Sequence, residues 1–231
     1  MTLSSQLVLA GIVDTTLVAT LVGLVVRRRL HLCWAFPIYA AIVVVCESLI
    51  AVWPARFYTA DFWMVKQALY DAAKVVIALE LAYRVVRAFP GAMRTARVSA
   101  VALLAISTVL IVGGPLAAGY RAMPEWQPRM VLGIVSLFTL TALVVLWYNL
   151  PVQAWHRALL LGFSGYLLVF TVVLNLLRTQ GWHLAHWLGL ADAVAYLALT
   201  MWWASAAWAR EAPVSEDIPL VVRRRLGLER A

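Results

Sequence analysis

Seven apolar runs, each near the roughly 20 residues that a bilayer-crossing helix needs, follow one another with only short connections between them. They fall at about 6–26, 33–53, 62–84, 98–118, 129–149, 158–178 and 184–208. Backbone polar groups in hydrocarbon must be satisfied within each segment, so runs of this length specify helices. The expected fold is therefore all-α: a polytopic membrane domain over 1–210 with seven transmembrane helices, followed by a basic tail over 211–231. Short connections make consecutive helices antiparallel, and no internal repeat is visible.

Composition enters because it removes the soluble alternative. Charged residues make up 13% of the chain, about half of what a soluble domain carries, and mean hydropathy is +0.87. The formal charge of +8 suits nucleic acid in a soluble protein, but here the cations cluster between apolar runs. Topology explains them better, and no nucleic-acid partner is expected; the bilayer itself is the expected partner.

The arginines give the orientation. One side receives Arg27, Arg28, Arg29, Arg84, Arg87, Arg94, Arg97, Arg157, Arg210, Arg223, Arg224, Arg225 and Arg230. The other receives Arg56, Lys66, Arg121, Arg129 and Arg178. Thirteen against five places the N-terminus outside and the C-terminus in the cytoplasm, as an odd helix number requires. The run beginning near residue 6 has no basic n-region and continues to Val26, so it reads as a retained helix and not a signal peptide. Trp34, Trp147, Trp155, Trp202, Trp203 and Trp208 fall near the inner boundary, and Trp53, Trp63, Trp126, Trp182 and Trp187 near the outer one. All are expected at headgroup depth.

The third segment breaks the apolar pattern. Between Phe62 and Arg84 it carries Lys66, Asp71, Lys74, Glu80 and Arg84, ionisable groups at depths where hydrocarbon should be. Glu80 and Arg84 form an i,i+4 pair near the inner end, and Lys66 is shallow enough to snorkel outward. Gln67, Asp71 and Lys74 share a face at i, i+4 and i+7.

Three more carboxylates sit at a similar depth: Asp14, Glu47 and Asp192. All four acids lie about 9–14 Å below the outer boundary at 1.5 Å per residue. The first and last helices of a ring can be neighbours, so one pocket is expected to collect Asp14, Glu47, Gln67, Asp71, Lys74 and Asp192. Asn175 joins them from a polar stripe with Ser164 and Thr171. On the last segment Gly189, Asp192, Ala193, Tyr196 and Thr200 line one face, and on the first Gly11, Thr15, Ala19 and Gly23 form a stripe that lets a neighbour approach. Two readings stand side by side: an outward-facing pocket for a cation, proton or small polar ligand, or a structural network with Lys74 as its hub.

No catalytic set emerges. Gly162-Phe163-Ser164-Gly165 and Ala185-His186-Trp187-Leu188-Gly189 resemble the serine and histidine motifs of rhomboid proteases, but Ser164 and His186 fall at opposite ends of consecutive helices. A lysine on the last helix, which the microbial rhodopsin pattern requires, is absent, so retinal is not expected. His183 and His186 make an incomplete metal site, with a spacing of three where the zinc hydrolases of the ceramidase type want four. His31 and His156 fall on the other side, which removes a transmembrane haem pair. No metal is expected, and no cofactor is specified. Cys33 and Cys46 lie about 20 Å apart along one segment, too far to bridge each other.

Arg28 to Pro37 (RRLHLCWAFP) and Glu80 to Pro90 (ELAYRVVRAFP) resemble uncharacterised bacterial seven-helix membrane proteins over the first hundred residues. That resemblance implies the fold and a bacterial inner (cytoplasmic) membrane, and no activity. The expected function is a seven-helix sensor or ligand-binding module that reports through its basic loops to a cytoplasmic signalling partner. The alternatives are a proton- or cation-coupled transporter or channel, and an accessory subunit packed among other membrane subunits.

Overall fold

The computed structural model describes residues 3–86, 98, 123–148, 150, 152–180 and 182–210. Six long helices carry the architecture: α1 (Leu3–Val26), α2 (Ala35–Val52), α3 (Ala60–Val86), α4 (Met123–Trp147), α5 (Ala154–Gln180) and α6 (Ala185–Trp208). A single helical turn, Pro54–Phe57, links α2 to α3, and 3-10 turns occupy Leu30–Leu32 and Trp182–Leu184. The described residues contain no strand, and the fold is all-α. Five of the six long helices are long and apolar enough to cross a membrane. The sixth, α3, is as long as any at 27 residues but carries the ionisable groups. The span expected at 98–118, apart from residue 98, and the basic tail at 211–231 lie outside the described residues.

The helices close into a ring. α1 packs on α2, α2 on α3, α3 on α4, α4 on α5, α5 on α6, and α6 returns to α1. α1 and α6 run parallel, because their C-terminal ends meet: Trp208 Nε1 donates to the Ala19 carbonyl at 3.0 Å. Six residues, 148–153, join α4 to α5; they cannot span the length of a 25-residue helix, so those two run antiparallel. The chain therefore leaves α3 at one end of the bundle and enters α4 at the other.

Local sequence explains the ends. α1 stops in a left-handed turn at Arg28 (φ 55°), where Arg28 N–H bonds Val25 O at 2.9 Å and Arg29 N–H bonds Leu24 O at 2.7 Å. That turn aims Arg29 at the end of α6, where its guanidinium donates to the carbonyls of Ala206 (3.2 Å) and Ala209 (2.9 Å). A cation among the last carbonyls of a helix opposes its dipole and satisfies orphan acceptors. α4 begins at Met123, earlier than the 129 expected, and takes Pro124 into its first turn and Pro128 inside it. A proline in a first turn sacrifices no helical bond, and Pro128 removes one.

The small stripe of α1 is used at one end only. A Cβ on Gly23 would lie 2.8 Å from Trp208 Nε1, whereas one on Gly11 would meet nothing within 4 Å. Gly162 of α5 is crowded in the same way by Leu199 and Trp203 of α6.

The tryptophans divide in a way that their sequence positions hide. Trp34, Trp53, Trp147, Trp187, Trp202 and Trp208 are exposed, as an interfacial residue should be. Trp155 and Trp203, near the same end of the bundle, are fully buried between the helices. Both pack edge-on to Phe36, with ring centroids 5.0 and 5.1 Å away. Phe163 joins them, 4.6 Å from Trp203 and 4.7 Å from Phe138. This aromatic cluster fills the bundle towards its arginine-rich end, and the walls of such a core are as dense as an organic crystal.

Candidate functional site

Three charged clusters involve α3: two are held at opposite ends of α2, and the third faces α6. At the arginine-rich end Glu80 bonds Arg84 at 2.7 Å, the i,i+4 pair expected from sequence. Glu80 also accepts the backbone N–H groups of Trp34 (3.2 Å) and Ala35 (3.0 Å) and lies 3.4 Å from Cys33 Sγ. It supplies the N-terminal cap that α2 lacks from its own sequence, since Trp34 makes no side-chain cap. Arg84 donates onward to His31 O at 3.0 Å. Burial and the neighbouring Glu80 carboxylate push the Cys33 thiol up to about 12. This cluster is a structural clamp between α3 and the turn before α2.

The second cluster lies towards the opposite end. Lys66 Nζ bonds Glu47 Oε1 of α2 at 2.9 Å, and the Tyr70 hydroxyl donates to the same oxygen at 3.2 Å. The ammonium also lies 5.7 Å from the centre of the Tyr70 ring. Lys66 therefore turns inward, with its side chain 14% exposed, and does not snorkel outward as expected. A carboxylate within reach on α2 outweighs the drive to reach water. Asp14 of α1 faces Glu47, a like charge, and its Oδ1 has no hydrogen-bond partner among the described residues.

The third cluster is the deepest. Lys74 Nζ bonds Asp71 Oδ1 at 3.0 Å, with the two side chains only 5% and 7% exposed. Gln67 Nε2 donates to the same oxygen at 3.1 Å, so the i, i+4, i+7 face assembles as expected. Asp192 of α6 comes within electrostatic reach of Lys74, and the Tyr166 hydroxyl lies against its carboxylate. Asp192 Oδ1 has no hydrogen-bond partner among the described residues. The hydroxyls of Tyr39 and Tyr196 meet at 3.0 Å beside this group.

The expected single pocket is thus two adjoining networks. One holds Asp14, Glu47 and Lys66; the other holds Asp71, Asp192 and Lys74. Tyr39 and Tyr70, 6.3 Å apart edge to face, stand between them. Each network has two carboxylates and one ammonium, a formal charge of −1 if all ionise. In each the ammonium is committed to one acid, and the other acid keeps an oxygen without a hydrogen-bond partner among the described residues. Lys74 is not the one deep cation set against four acids, because Lys66 takes Glu47.

Asn175 is not brought to this face. It is exposed, and its amide donates to Thr171 O, 2.8 Å away on its own helix. Of its stripe only Ser164 is buried, with its Oγ unpartnered among the described residues. His186 is exposed and packs against Trp187, while His156 Nε2 sits 2.7 Å from Leu32 O at the other end of the bundle. The motif-like Ser164 and His186 remain apart.

Sequence reasoning did not single out Tyr39, Tyr70 and Tyr166. The signal available for them was depth. A tyrosine well inside an apolar span must find a partner for its hydroxyl, and each of these stands beside one of the acids.

No protein-family model matches the chain, and comparison with curated proteins and with solved structures gave no match.

Proposed function

We propose that this chain is a bacterial inner-membrane ligand-binding or sensor module, with its N-terminus outside and its arginine-rich end in the cytoplasm. Its polar networks open to the outer side and take a small cationic or hydrogen-bond-donating ligand on Asp14 and Asp192. The observation that carries this reading is the surplus in each network: a carboxylate whose companion acid has already taken the local lysine. A buried anionic oxygen without a donor is costly, and a ligand cation or N–H group that binds there removes the cost.

The aromatic cluster of Phe36, Trp155, Phe163 and Trp203 weighs against transport, since it fills the half of the bundle that a permeating ion would have to cross. A ligand bound at the acids would report through the α3 clamp to the basic end.

Native mass spectrometry of the full chain taken from its own membranes tests the proposal. The expected result is a co-purifying small cation that an Asp14→Asn/Asp192→Asn variant no longer carries. A ligand-free wild-type chain, or a ligand retained equally by the variant, would overturn it.

A further inference from the structure

A second site lies on the outer face of the bundle, at the arginine-rich end and away from the acids. A groove of about 410 Å³ runs between the start of α5 and the end of α6. Ala154, Ala158, Ala206 and Ala209 form its apolar lining, with Trp202, Ser205 and Arg157 at its margins. Four alanines where longer side chains would ordinarily cover a helix pair leave a depression wide enough for a chain of methylenes.

Its charge has one sign. Arg157 is exposed, and no ion pair or side-chain hydrogen bond engages its guanidinium among the described residues. Arg29, which grips the Ala206 and Ala209 carbonyls, adds a second positive charge beside the groove, and no acid lines it. Its depth is set by a girdle of exposed tryptophans at the same end of the bundle: Trp34, Trp147, Trp202 and Trp208. Exposed indoles of this kind sit in the headgroup region.

We infer that this groove is a binding site for an anionic phospholipid, with the phosphate on Arg157 and an acyl chain laid over the alanines. The planar guanidinium matches a phosphate by paired hydrogen bonds, and the Ser205 hydroxyl, which donates to Trp202 O at 2.7 Å, keeps lone pairs that can accept from a headgroup hydroxyl. A zwitterionic lipid presents the same phosphate but brings its own cation towards Arg157 and Arg29, which favours the anionic lipid. The site is independent of the acid networks and of any ligand they take.

The test is lipid retention by the full chain in nanodiscs holding equal phosphatidylglycerol and phosphatidylcholine, read by native mass spectrometry. The wild-type chain is expected to retain phosphatidylglycerol preferentially. Arg157→Gln should lower that retention about fivefold, the ratio that one basic residue near an anionic surface gives. Ala154→Trp, an exposed substitution that fills the groove, should lower it with Arg157 intact. Arg178→Gln, at the opposite end, should leave it unchanged. Equal retention in all three variants, or an equal loss in Arg178→Gln, would overturn the inference. So would release of the lipid by millimolar inorganic phosphate, which would make the ligand a soluble phosphate and not a lipid.

Discussion

Glu80 and Ala35 are joined across 45 residues of chain: the α3 carboxylate accepts the first backbone N–H of α2 at 3.0 Å. A helix normally finds its cap in its own sequence, a residue or two before it starts. Here Trp34 occupies that position and offers nothing, so α2 begins where α3 supplies an anion. The arrangement makes the start of one helix conditional on the placement of another.

Replacing Glu80 with alanine should therefore cost more than a surface ion pair would. About 2 kcal/mol is expected, from loss of a charged cap together with an Arg84 left without its acid. Thermal unfolding in detergent reads the total. Hydrogen exchange at Trp34 and Ala35 reads the location, and protection there should fall before that of the centre of α2.

Cys33 reports on the same clamp. Its thiol is buried, faces Glu80, and is raised from its usual 9.0 to about 12. The folded chain thus holds the thiol neutral where the unfolded chain would ionise it. The stability this contributes is whole below pH 9 and drains away as pH rises towards about 12. In a Cys46→Ser background, the folded chain should resist maleimide at pH 9, and Glu80→Ala should make Cys33 react.

Gly23 and Gly11 lie on one stripe of α1 and should behave oppositely. Alanine at Gly23 would displace Trp208 and its bond to Ala19 O, at a cost of about 1–3 kcal/mol. Alanine at Gly11 meets no neighbour and should be neutral or stabilise by up to about 1 kcal/mol. Melting temperatures of the two single variants decide this.

Much of this architecture is legible in the sequence because hydrocarbon is a strict solvent. Twenty apolar residues must be a helix, and the Glu80–Arg84 and Gln67–Asp71–Lys74 faces follow from helical periodicity alone. What the sequence hides is which neighbour each polar group meets. Lys66 is shallow enough to reach water, and only the position of Glu47 on α2 turns it inward. Trp155 and Trp203 sit near segment ends like the interfacial tryptophans, yet the ring of helices closes over them. Asn175 lies on a polar stripe, but its amide and the Thr171 hydroxyl are satisfied by carbonyls of their own helix. In each case local spacing permits two fates and tertiary contact selects one.

We propose a division of labour among four acids: Asp71 and Glu47 hold lysines, while Asp14 and Asp192 take a ligand. Thermal unfolding of Asp71→Asn beside Asp14→Asn/Asp192→Asn, in ligand-free detergent, tests it most directly. Asp71→Asn strands a buried Lys74 and should cost about 3 kcal/mol, a fall of roughly 6–12 °C. The double variant keeps an amide oxygen for the Tyr166 hydroxyl and removes two surplus charges, of which only Asp192 attracts Lys74, so it should melt close to the wild type. A double variant that falls as far as Asp71→Asn would show all four acids to be structural and contradict the account.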